Sequence, residues 1–470
     1  MIAREVDPAA PEVIDCLAQV FAEAPDPHRL SRAKAAWAVM EENGSATGVA
    51  VVEIDPQKRA DDCWHLWLFA VRPEARRRGV ATLLLETIEK DARQAGIQTL
   101  RVRTYRRWAD MRNMLDRRGW ALMGAEPGDR HDGVAEDWVL VLRPEPLRTI
   151  VIGANPEGRG GEWIEAIRSM PNLVQIVGIC DTRAEVRAMW PDIAGDNDPA
   201  ELIKRTRPDA AILALPHNAY EGPRNACMDA GVAILHEKPL ACHLDEVLKL
   251  QAELTQTPVP IVVGVQRRAH PSYLYLKQCI ASGDKPKSMV VRMVLGKRNA
   301  ADGWRAAREV AGGGALLDMG YHAVDLVHYL LDAPVEVIHC GLRYGNRPAL
   351  AGEIETAAHL TGRCGAIWVK IVVDRQGEEK RESVTLCTDH GELCATRERV
   401  LRDGQMEYEC PGTWNAAVRG CLARLALARG GETTSIDLWD HLAALQVVEE
   451  AYASVAACGR GVALATGVAP

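Results

Sequence analysis

The sequence predicts three α/β-type units in tandem: a mixed α/β unit, then a doubly wound parallel sheet, then an open, mostly antiparallel sheet. Three observations predict this. Short apolar strands alternate with amphipathic helices through residues 35–265. A stiff, proline-rich connector, Arg143-Pro144-Glu145-Pro146, interrupts them. After one helix near residue 320, long alternating strands follow one another. The expected divisions are residues 1–146, 147–270 and 271–470.

The chain has 470 residues, 47% hydrophobic and 26% charged, which is a globular composition with ample length for large cores. A formal net charge of -8 argues against a general nucleic-acid binder. No apolar run reaches membrane-spanning length, and Met1-Ile2-Ala3-Arg4-Glu5-Val6-Asp7 holds no signal-peptide core, so a cytoplasmic protein is expected. The 13 cysteines include no Cys-x-x-Cys pair and imply neither a disulfide framework nor a zinc site. No metal site is expected.

In residues 1–146, Ala35–Met40 and residues 48–54 are apolar strands around Asn43-Gly44, a pair that favours a tight hairpin. Residues 64–71 form a further strand, which runs into Arg72-Pro73-Glu74-Ala75-Arg76-Arg77-Arg78-Gly79-Val80-Ala81. A helix follows with Val80, Leu83, Leu84 and Ile88 on one face and Gly96 as its stop. Residues 100–103 and 137–142 read as strands and Ala109–Arg117 as a helix. A glycine turn at a helix N-terminus, preceded by arginines, suits a pyrophosphate, because backbone amides, helix dipole and guanidinium groups all favour an anion. A basic, solvated surface turn is the plainer reading.

Residues 71–85 resemble the acetyl-CoA motif of the GNAT family of N-acetyltransferases, Arg/Gln-x-x-Gly-x-Gly/Ala, here Arg76, Gly79 and Ala81. The resemblance covers roughly residues 1–142. It implies acetyl-CoA bound by Val71, Arg76, Arg77, Arg78, Gly79, Val80 and Ala81. Many members of that family carry a Tyr, before a Gly-Phe pair, that protonates the departing thiolate. Here Leu115 stands at that place, in Met114-Leu115-Asp116-Arg117-Arg118-Gly119-Trp120. Tyr105 is a substitute acid. His65, Asp61 and Asp62 are candidate bases, and His65 also reads as a strand histidine with a structural partner.

Beyond the connector, residues 149–152 form a strand that runs into Gly153-Ala154-Asn155-Pro156-Glu157-Gly158-Arg159-Gly160-Gly161, with a helix beginning near Glu162. This is the strand, glycine loop and helix of a dinucleotide site, with Gly153, Asn155 and Gly158 at the G-x-G-x-x-G spacing. Asn155 tolerates a left-handed backbone but places a side chain where a pyrophosphate approaches; Arg159 or the extra glycines compensate. Asp181 ends the strand Val174–Cys180, in the region for binding ribose hydroxyls. Its carboxylate favours NAD, Arg183 would suit the phosphate of NADP, and a helix cap is compatible with both. Residues 210–215 form a strand before Pro216-His217-Asn218. The strand Ala233-Ile234-Leu235-His236 leads into Glu237-Lys238-Pro239, and another at 261–265 precedes Gln266.

The third unit opens with a helix at 272–282 and a strand at 288–295. Trp304-Arg305 precedes Gly312-Gly313-Gly314-Ala315-Leu316-Leu317-Asp318-Met319-Gly320-Tyr321-His322-Ala323-Val324-Asp325. Strands at 335–344, 354–363, 366–374 and 382–387 follow, then a periodic, core-packing helix at 435–458. On a helix, Asp318 and His322 share a face, and a histidine held by a carboxylate is the usual general base near neutral pH. An ordinary polar pair at a helix start is the alternative.

Glu-Lys-Pro after a strand, and Gly-Gly-Gly-Ala-x-x-Asp-x-Gly-x-His-x-x-Asp later, together resemble the Gfo/Idh/MocA family of NAD(P)-dependent oxidoreductases, over roughly residues 148–470. The resemblance implies a Rossmann dinucleotide domain, a substrate-binding and oligomerisation domain, and a homo-oligomer. It implies hydride transfer between a nicotinamide and a carbinol carbon of a sugar, amino sugar or cyclitol, without a metal. His322 would take the hydroxyl proton, Asp318 would orient His322 and tune its pKa, and Lys238 would bridge the substrate oxygen and the nicotinamide ribose. Gly153, Asn155, Gly158, Arg159, Asp181, Arg183, Pro216, His217, Asn218, Glu237, Lys238 and Gln266 would surround the cofactor, with Arg305 on the substrate side. Two enzymes in one chain suggest one biosynthetic pathway, such as making an acetylated amino sugar. The alternatives are an imine or ketone reductase with a degenerate CoA-binding domain, and a non-catalytic, dinucleotide-sensing regulator. Lys238, Asp318 and His322, all present, favour an enzyme.

Overall fold

A computed structural model describes residues 1–21, 25–54, 62–105, 107–127, 134–142, 145–296, 303–344, 354–409, 414–430 and 438–457. Asp61, the Arg143-Pro144 half of the connector and the ends of the expected 435–458 helix lie outside them. The chain divides into two compact units, Met1–Pro146 and Leu147–Pro470.

Unit 1 runs β1 (Ala3–Val6), α1 (Pro11–Val20), α2 (Pro27–Leu30), β2 (Ala35–Met40), β3 (Ala46–Ile54), β4 (Cys63–Val71), α3 (Val80–Gln94), β5 (Thr99–Tyr105), α4 (Ala109–Arg117), β6 (Ala121–Pro127) and β7 (Val134–Val141). The strands form one sheet in the order β1-β2-β3-β4-β5-β7-β6, with β4 and β5 parallel and the other neighbours antiparallel. The Asn43-Gly44 turn closes as expected: Gly44 takes φ +84° and Glu41 N donates to Ser45 O at 2.8 Å. Strands β4 and β5 pair only from Cys63 to Leu66, against Thr99 to Val102, although they run on to Val71 and Tyr105. α3 buries Val80, Leu84, Leu85 and Ile88, with Leu83 half-buried at the edge of the apolar face. Gly48 admits the helix, since a Cβ there would lie 2.5 Å from Val80 Cγ1.

Unit 2 begins β8 (Leu147–Ile152), α5 (Arg159–Arg168), β9 (Val174–Cys180), α6 (Ala184–Ala188), β10 (Gly195–Asp196), α7 (Pro199–Thr206), β11 (Ala210–Leu213), α8 (Glu221–Asp229), β12 (Ala233–His236), α9 (Leu244–Gln256) and β13 (Ile261–Val263). All six strands are parallel, in the order β10-β9-β8-β11-β12-β13. The order reverses between β8 and β11, and ligands of such sheets bind where strand ends part. α7 and α9 add to the expected elements. Asp198 caps α7 by accepting from Ala200 N at 2.8 Å.

The remainder is α10 (Pro271–Ala281), β14 (Pro286–Gly296), α11 (Arg308–Ala311), α12 (Tyr321–Leu331), β15 (Glu336–Tyr344), β16 (Glu355–Cys364), β17 (Ile367–Gly377), β18 (Arg381–Thr388), β19 (Gly391–Ala395), β20 (Arg399–Arg402), β21 (Gln405–Glu409), α13 (Trp414–Arg429) and α14 (Leu438–Ala457). Its eight strands follow the order β15-β16-β17-β14-β18-β19-β20-β21, antiparallel apart from the parallel β14–β17 pair. α14 packs on α12 and β15, burying Leu445, Val448 and Ala451 as core. All the described cysteines but Cys387 and Cys394 are buried. Among the described residues, no helix is long and apolar enough to cross a membrane.

Candidate functional site

The triple glycine is a packing device. A Cβ at Gly312 would lie 2.5 Å from Cys242 Sγ, at Gly313 2.6 Å from the Tyr452 hydroxyl, and at Gly314 2.3 Å from Glu355 O. Tyr452 donates to Glu355 Oε1 at 2.8 Å, and Leu316 N donates to the same oxygen at 2.9 Å. The loop is thereby pinned, and it opens into a π-type turn at Leu316–Gly320, closed by Tyr321 N donating to Leu316 O.

That turn corrects the expected Asp318–His322 pair. A π turn is wider than an α turn, so residues four apart no longer stack. The Asp318 carboxylate turns instead to three cations. Lys238 Nζ donates to its Oδ1 at 2.6 Å and to its main-chain O at 2.7 Å. Arg375 Nη2 donates to its Oδ2 at 2.8 Å and Arg305 Nε at 3.3 Å. Burial pushes the Asp318 carboxyl up, but the Lys238, Arg375 and Arg305 charges outweigh it and hold the group well below the usual range.

His322 is buried, and its Nδ1 has no hydrogen-bond partner. Burial lowers its pKa well below 6.5, helped by the Arg267, Lys238 and Arg159 charges and opposed by Asp318. Asp318 thus acts on His322 through its field and not through a hydrogen bond. A neutral imidazole keeps one ring nitrogen free of a proton and can therefore accept one.

The neighbouring loops hold this centre in place. Glu237 Oε1 accepts from Trp163 Nε1 and from Gln266 Nε2, each at 3.0 Å. The Lys238-Pro239 peptide is cis. His217 Nδ1 donates to Ala311 O at 2.7 Å, its ring meets Trp304 edge-on at 4.8 Å, and burial lowers its pKa to about 4. Asn218 Nδ2 donates to Glu309 O at 3.4 Å. The Pro216-His217-Asn218 loop is therefore tied to α11, beside the glycine stretch.

The Gly153 loop fits a dinucleotide. Gly153 has φ +89°, and a Cβ there would lie 2.3 Å from Ala214 O. The close helix–strand approach falls at Gly160, where a Cβ would lie 1.9 Å from Gly153 O; at Gly158 the nearest atom is 3.6 Å away. Asn155 does not project across the loop: its Oδ1 accepts from Glu157 N at 3.3 Å, and its main-chain O accepts from Gly158 and Gly161 N at 3.0 Å. Gly158 opens α5 without a side-chain cap, at the helix end whose dipole favours an anion. Arg159, expected to help compensate, pairs with Glu162 and lies 3.7 Å from Glu237. Asp181 accepts from Ala154 N at 3.2 Å and from Arg183 N and Nε at 3.1 Å each, so it fastens the glycine loop and caps its own turn.

In unit 1, Arg76, Arg77 and Arg78 are exposed, Gly79 takes φ +82° in open space, and α3 starts without a side-chain cap. That turn suits a pyrophosphate. Leu115 is wholly buried in core, so no acid stands there. Tyr105 is half-buried at the end of β5, past the point where β4 and β5 cease to pair. His65 Nδ1 lies 3.0 Å from Glu53 Oε1, and Arg29 Nη2 donates to that oxygen at 2.6 Å, so His65 has a structural partner. Asp62 is exposed.

Two residues at these positions escape sequence reasoning. Glu53, the structural partner of His65 and next to last in β3, carries no motif. Arg375 continues the alternation Val369, Ile371, Val373 on the buried face of β17, just past the expected strand end at residue 374. Among the described residues, one grouping of metal-ligand type lies elsewhere, Asp284, Asp389 and His390, but Arg402 Nη2 already donates to Asp284 at 2.9 Å.

A parallel sheet with a glycine loop at its switch point, together with a centre made of Lys238 after β12, Asp318 in the π turn and His322 in α12, defines a dinucleotide-type α/β class. Comparison makes this specific. Residues 147–265 match the oxidoreductase family with an NAD-binding Rossmann fold, and residues 273–393 the GFO/IDH/MocA C-terminal domain. Residues 8–120 match the Acetyltransferase (GNAT) family. The chain is a fusion of a GNAT domain with a Gfo/Idh/MocA oxidoreductase. It is 32% identical over 196 residues to an inositol 2-dehydrogenase of Rhodococcus erythropolis, covering 41% of this chain and 54% of that protein. The chain spans just over half the length of such curated relatives. Among solved structures, myo-inositol 2-dehydrogenase from Lactobacillus plantarum matches at TM-score 0.57 and 17% identity, covering 68% of this chain and 99% of that one. Levoglucosan dehydrogenase, in complex with NADH and levoglucosan, matches at TM-score 0.58 and 17% identity, covering 67% and 98%. At these identities the likeness shows the fold.

Proposed function

We propose that residues 147–470 are an NAD-dependent oxidoreductase acting on a carbinol of a sugar or cyclitol, built from a dinucleotide-binding part (147–270) and a substrate-binding part (271–470). Residues 1–146 are proposed as an acetyl-CoA-binding domain of acetyltransferase type. The observation that carries the first reading is the buried Lys238–Asp318 pair beside a His322 whose Nδ1 is unmatched. The Gly153 loop, the first amides of α5 and Asp181 would hold the dinucleotide. A bound nicotinamide supplies the hydride chemistry.

The chain's own groups do the rest. His322 accepts the substrate hydroxyl proton, because its lowered pKa keeps the ring neutral at neutral pH. That protonation state favours oxidation over reduction of a ketone or imine, which would need His322 as an acid. Lys238 spends its ammonium on Asp318 and keeps one N–H to stabilise the developing alkoxide. Asp318 positions Lys238. Arginine and lysine around a buried carboxylate keep the centre charged yet dry, which strengthens each interaction. The Asp181 carboxylate favours a free ribose 2′-hydroxyl, hence NAD. The relatives named as inositol dehydrogenases support a cyclitol or sugar substrate.

For residues 1–146, the arginine turn and the parting of β4 and β5 support acetyl-CoA binding; with Leu115 in core, transfer would rest on Tyr105 as acid. A ligand that binds only the folded state raises the melting midpoint. Titration of the full chain with NAD, NADP and acetyl-CoA separately tests both halves. Shifts with NAD and with acetyl-CoA are expected. No shift with either nicotinamide would remove the oxidoreductase reading, and none with acetyl-CoA would make residues 1–146 a degenerate domain.

A further inference from the structure

β17 sets Val369, Ile371, Val373 and Arg375 in one buried row. An arginine at the end of such a row gives up its hydration and needs acceptors in return. Arg375 has too few. It is 1% exposed, and its Nε and Nη1 are buried without a hydrogen-bond partner. Its partner, Asp318 Oδ2 at 2.8 Å, also takes Arg305 Nε, while Lys238 occupies Oδ1. Three cations therefore share one carboxylate. Among the described residues, no hydrogen bond joins Arg375 to the other acids around the centre; Glu355 takes Tyr452 and Leu316 N on its Oε1. Glu237 serves Trp163 and Gln266, and Glu382 binds Arg267 and Arg397. An oxidised nicotinamide would bring another positive charge to the centre, not a negative one.

We propose that the substrate itself supplies the missing anion: a carboxylate on the sugar or cyclitol, held by the donors of Arg375 that the protein leaves unmatched. Arg305, stacked 4.3 Å over Trp304 and with 40% of its side chain exposed, stands on the open side of the same charge cluster. Substrates of this class are polyol acids such as uronates. Arg375 is then a specificity-determining residue that rewards a carboxylate and penalises its neutral analogue. The reading of residues 147–470 as an oxidoreductase supplies the word substrate here, but carboxylate recognition is measurable without turnover.

Calorimetric binding to the full chain with NAD present tests this, using D-glucuronate against D-glucuronamide and D-galacturonate against D-galacturonamide. The acid of at least one pair should bind about ten- to a hundredfold tighter than its amide, the span of a charge-assisted hydrogen bond. Arg375→Gln should bring that ratio close to one while NAD affinity is kept, and Arg375→Lys should retain part of it. Equal binding of acid and amide in both pairs by the native protein would overturn the proposal, with no variant needed. So would an Arg375→Gln protein that loses acid and amide alike. Following NADH formation in the same samples separates the two readings. Acid preference without turnover keeps the carboxylate site and sinks the oxidoreductase, whereas turnover of neutral polyols without acid preference does the reverse.

Discussion

In unit 1, Arg76, Arg77, Arg78 and Gly79 are consecutive and exposed; in unit 2, Lys238, the Asp318–His322 stretch and Arg375 lie far apart in sequence, with Asp318, His322 and Arg375 buried and Lys238 partly so. The first arrangement works by local charge and backbone amides, which salt screens. The second works by fixed geometry in a dry interior, where each charge must be matched. The glycines divide the same way. Gly79 has open space around it, whereas Gly312, Gly313 and Gly314 are hemmed in by Cys242, Tyr452 and Glu355. A glycine with room can serve a ligand, and a glycine without room serves the fold.

The contrast is tested most strongly at His322. His322→Asn should lower kcat by about 10²–10⁴-fold, the range for loss of a general base, with NAD affinity kept. In the native protein the basic form is the active one, so kcat/KM for oxidation should fall as pH drops through the lowered His322 pKa. It should be level from pH 6.5 upward. An acid limb centred above that value would contradict the buried, neutral imidazole.

Buried and exposed ion pairs should separate next. Arg268 and Asp325 are 6% and 1% exposed, with Arg268 Nη2 donating to Asp325 Oδ1 at 2.7 Å. Asp325→Ala leaves a buried guanidinium and should cost about 3–5 kcal/mol in denaturant unfolding of unit 2. Removing the Arg72–Asp15 pair of unit 1, whose Asp15 side chain is 59% exposed, should cost about 0–1 kcal/mol.

Acid should divide the units as well. Buried His217 and His270 have pKa values lowered to about 4, and His236 to about 3, with burial the main cause. Between those values and 6.5 the unfolded chain binds more protons than the folded one, so stability falls as pH drops through that window, on the order of 3 kcal/mol per histidine. In unit 1, Glu53 has a lowered pKa, its burial outweighed by His65 and Arg29, and its contribution is lost only as pH falls below 4.5. Melting monitored across pH 4.5–6.5 should therefore show unit 2 weakening first. Salt should single out the arginine turn: Arg76→Ala with Arg78→Ala should weaken acetyl-CoA binding by about tenfold at low salt and less at high salt.

Legibility followed locality. The strand Ala35–Met40, the helix Ala109–Arg117 and the strand Val174–Cys180 were readable because short-range periodicity determines them. The motif positions 238, 318 and 322 were readable as well, but the contacts between them were not, because the π turn at Leu316–Gly320 redirects Asp318 to Lys238 and Arg375. Strands β19 to β21 are only four or five residues long, too short for alternation to stand out. α13 buries Ala417, Cys421, Leu422 and Leu425 with little polar contrast around the helix, so its period is faint.

The most direct measurement of the central claim is NADH formation by the full chain with myo-inositol and a panel of sugars and uronates, beside Lys238→Ala. Asp318 keeps Arg375 and Arg305 in that variant, so the fold should stand. The account predicts NAD reduction with at least one polyol and a loss of about 10²–10³-fold in kcat for Lys238→Ala at retained NAD affinity. No reduction with any member of the panel, or an equally active Lys238→Ala protein, would contradict it.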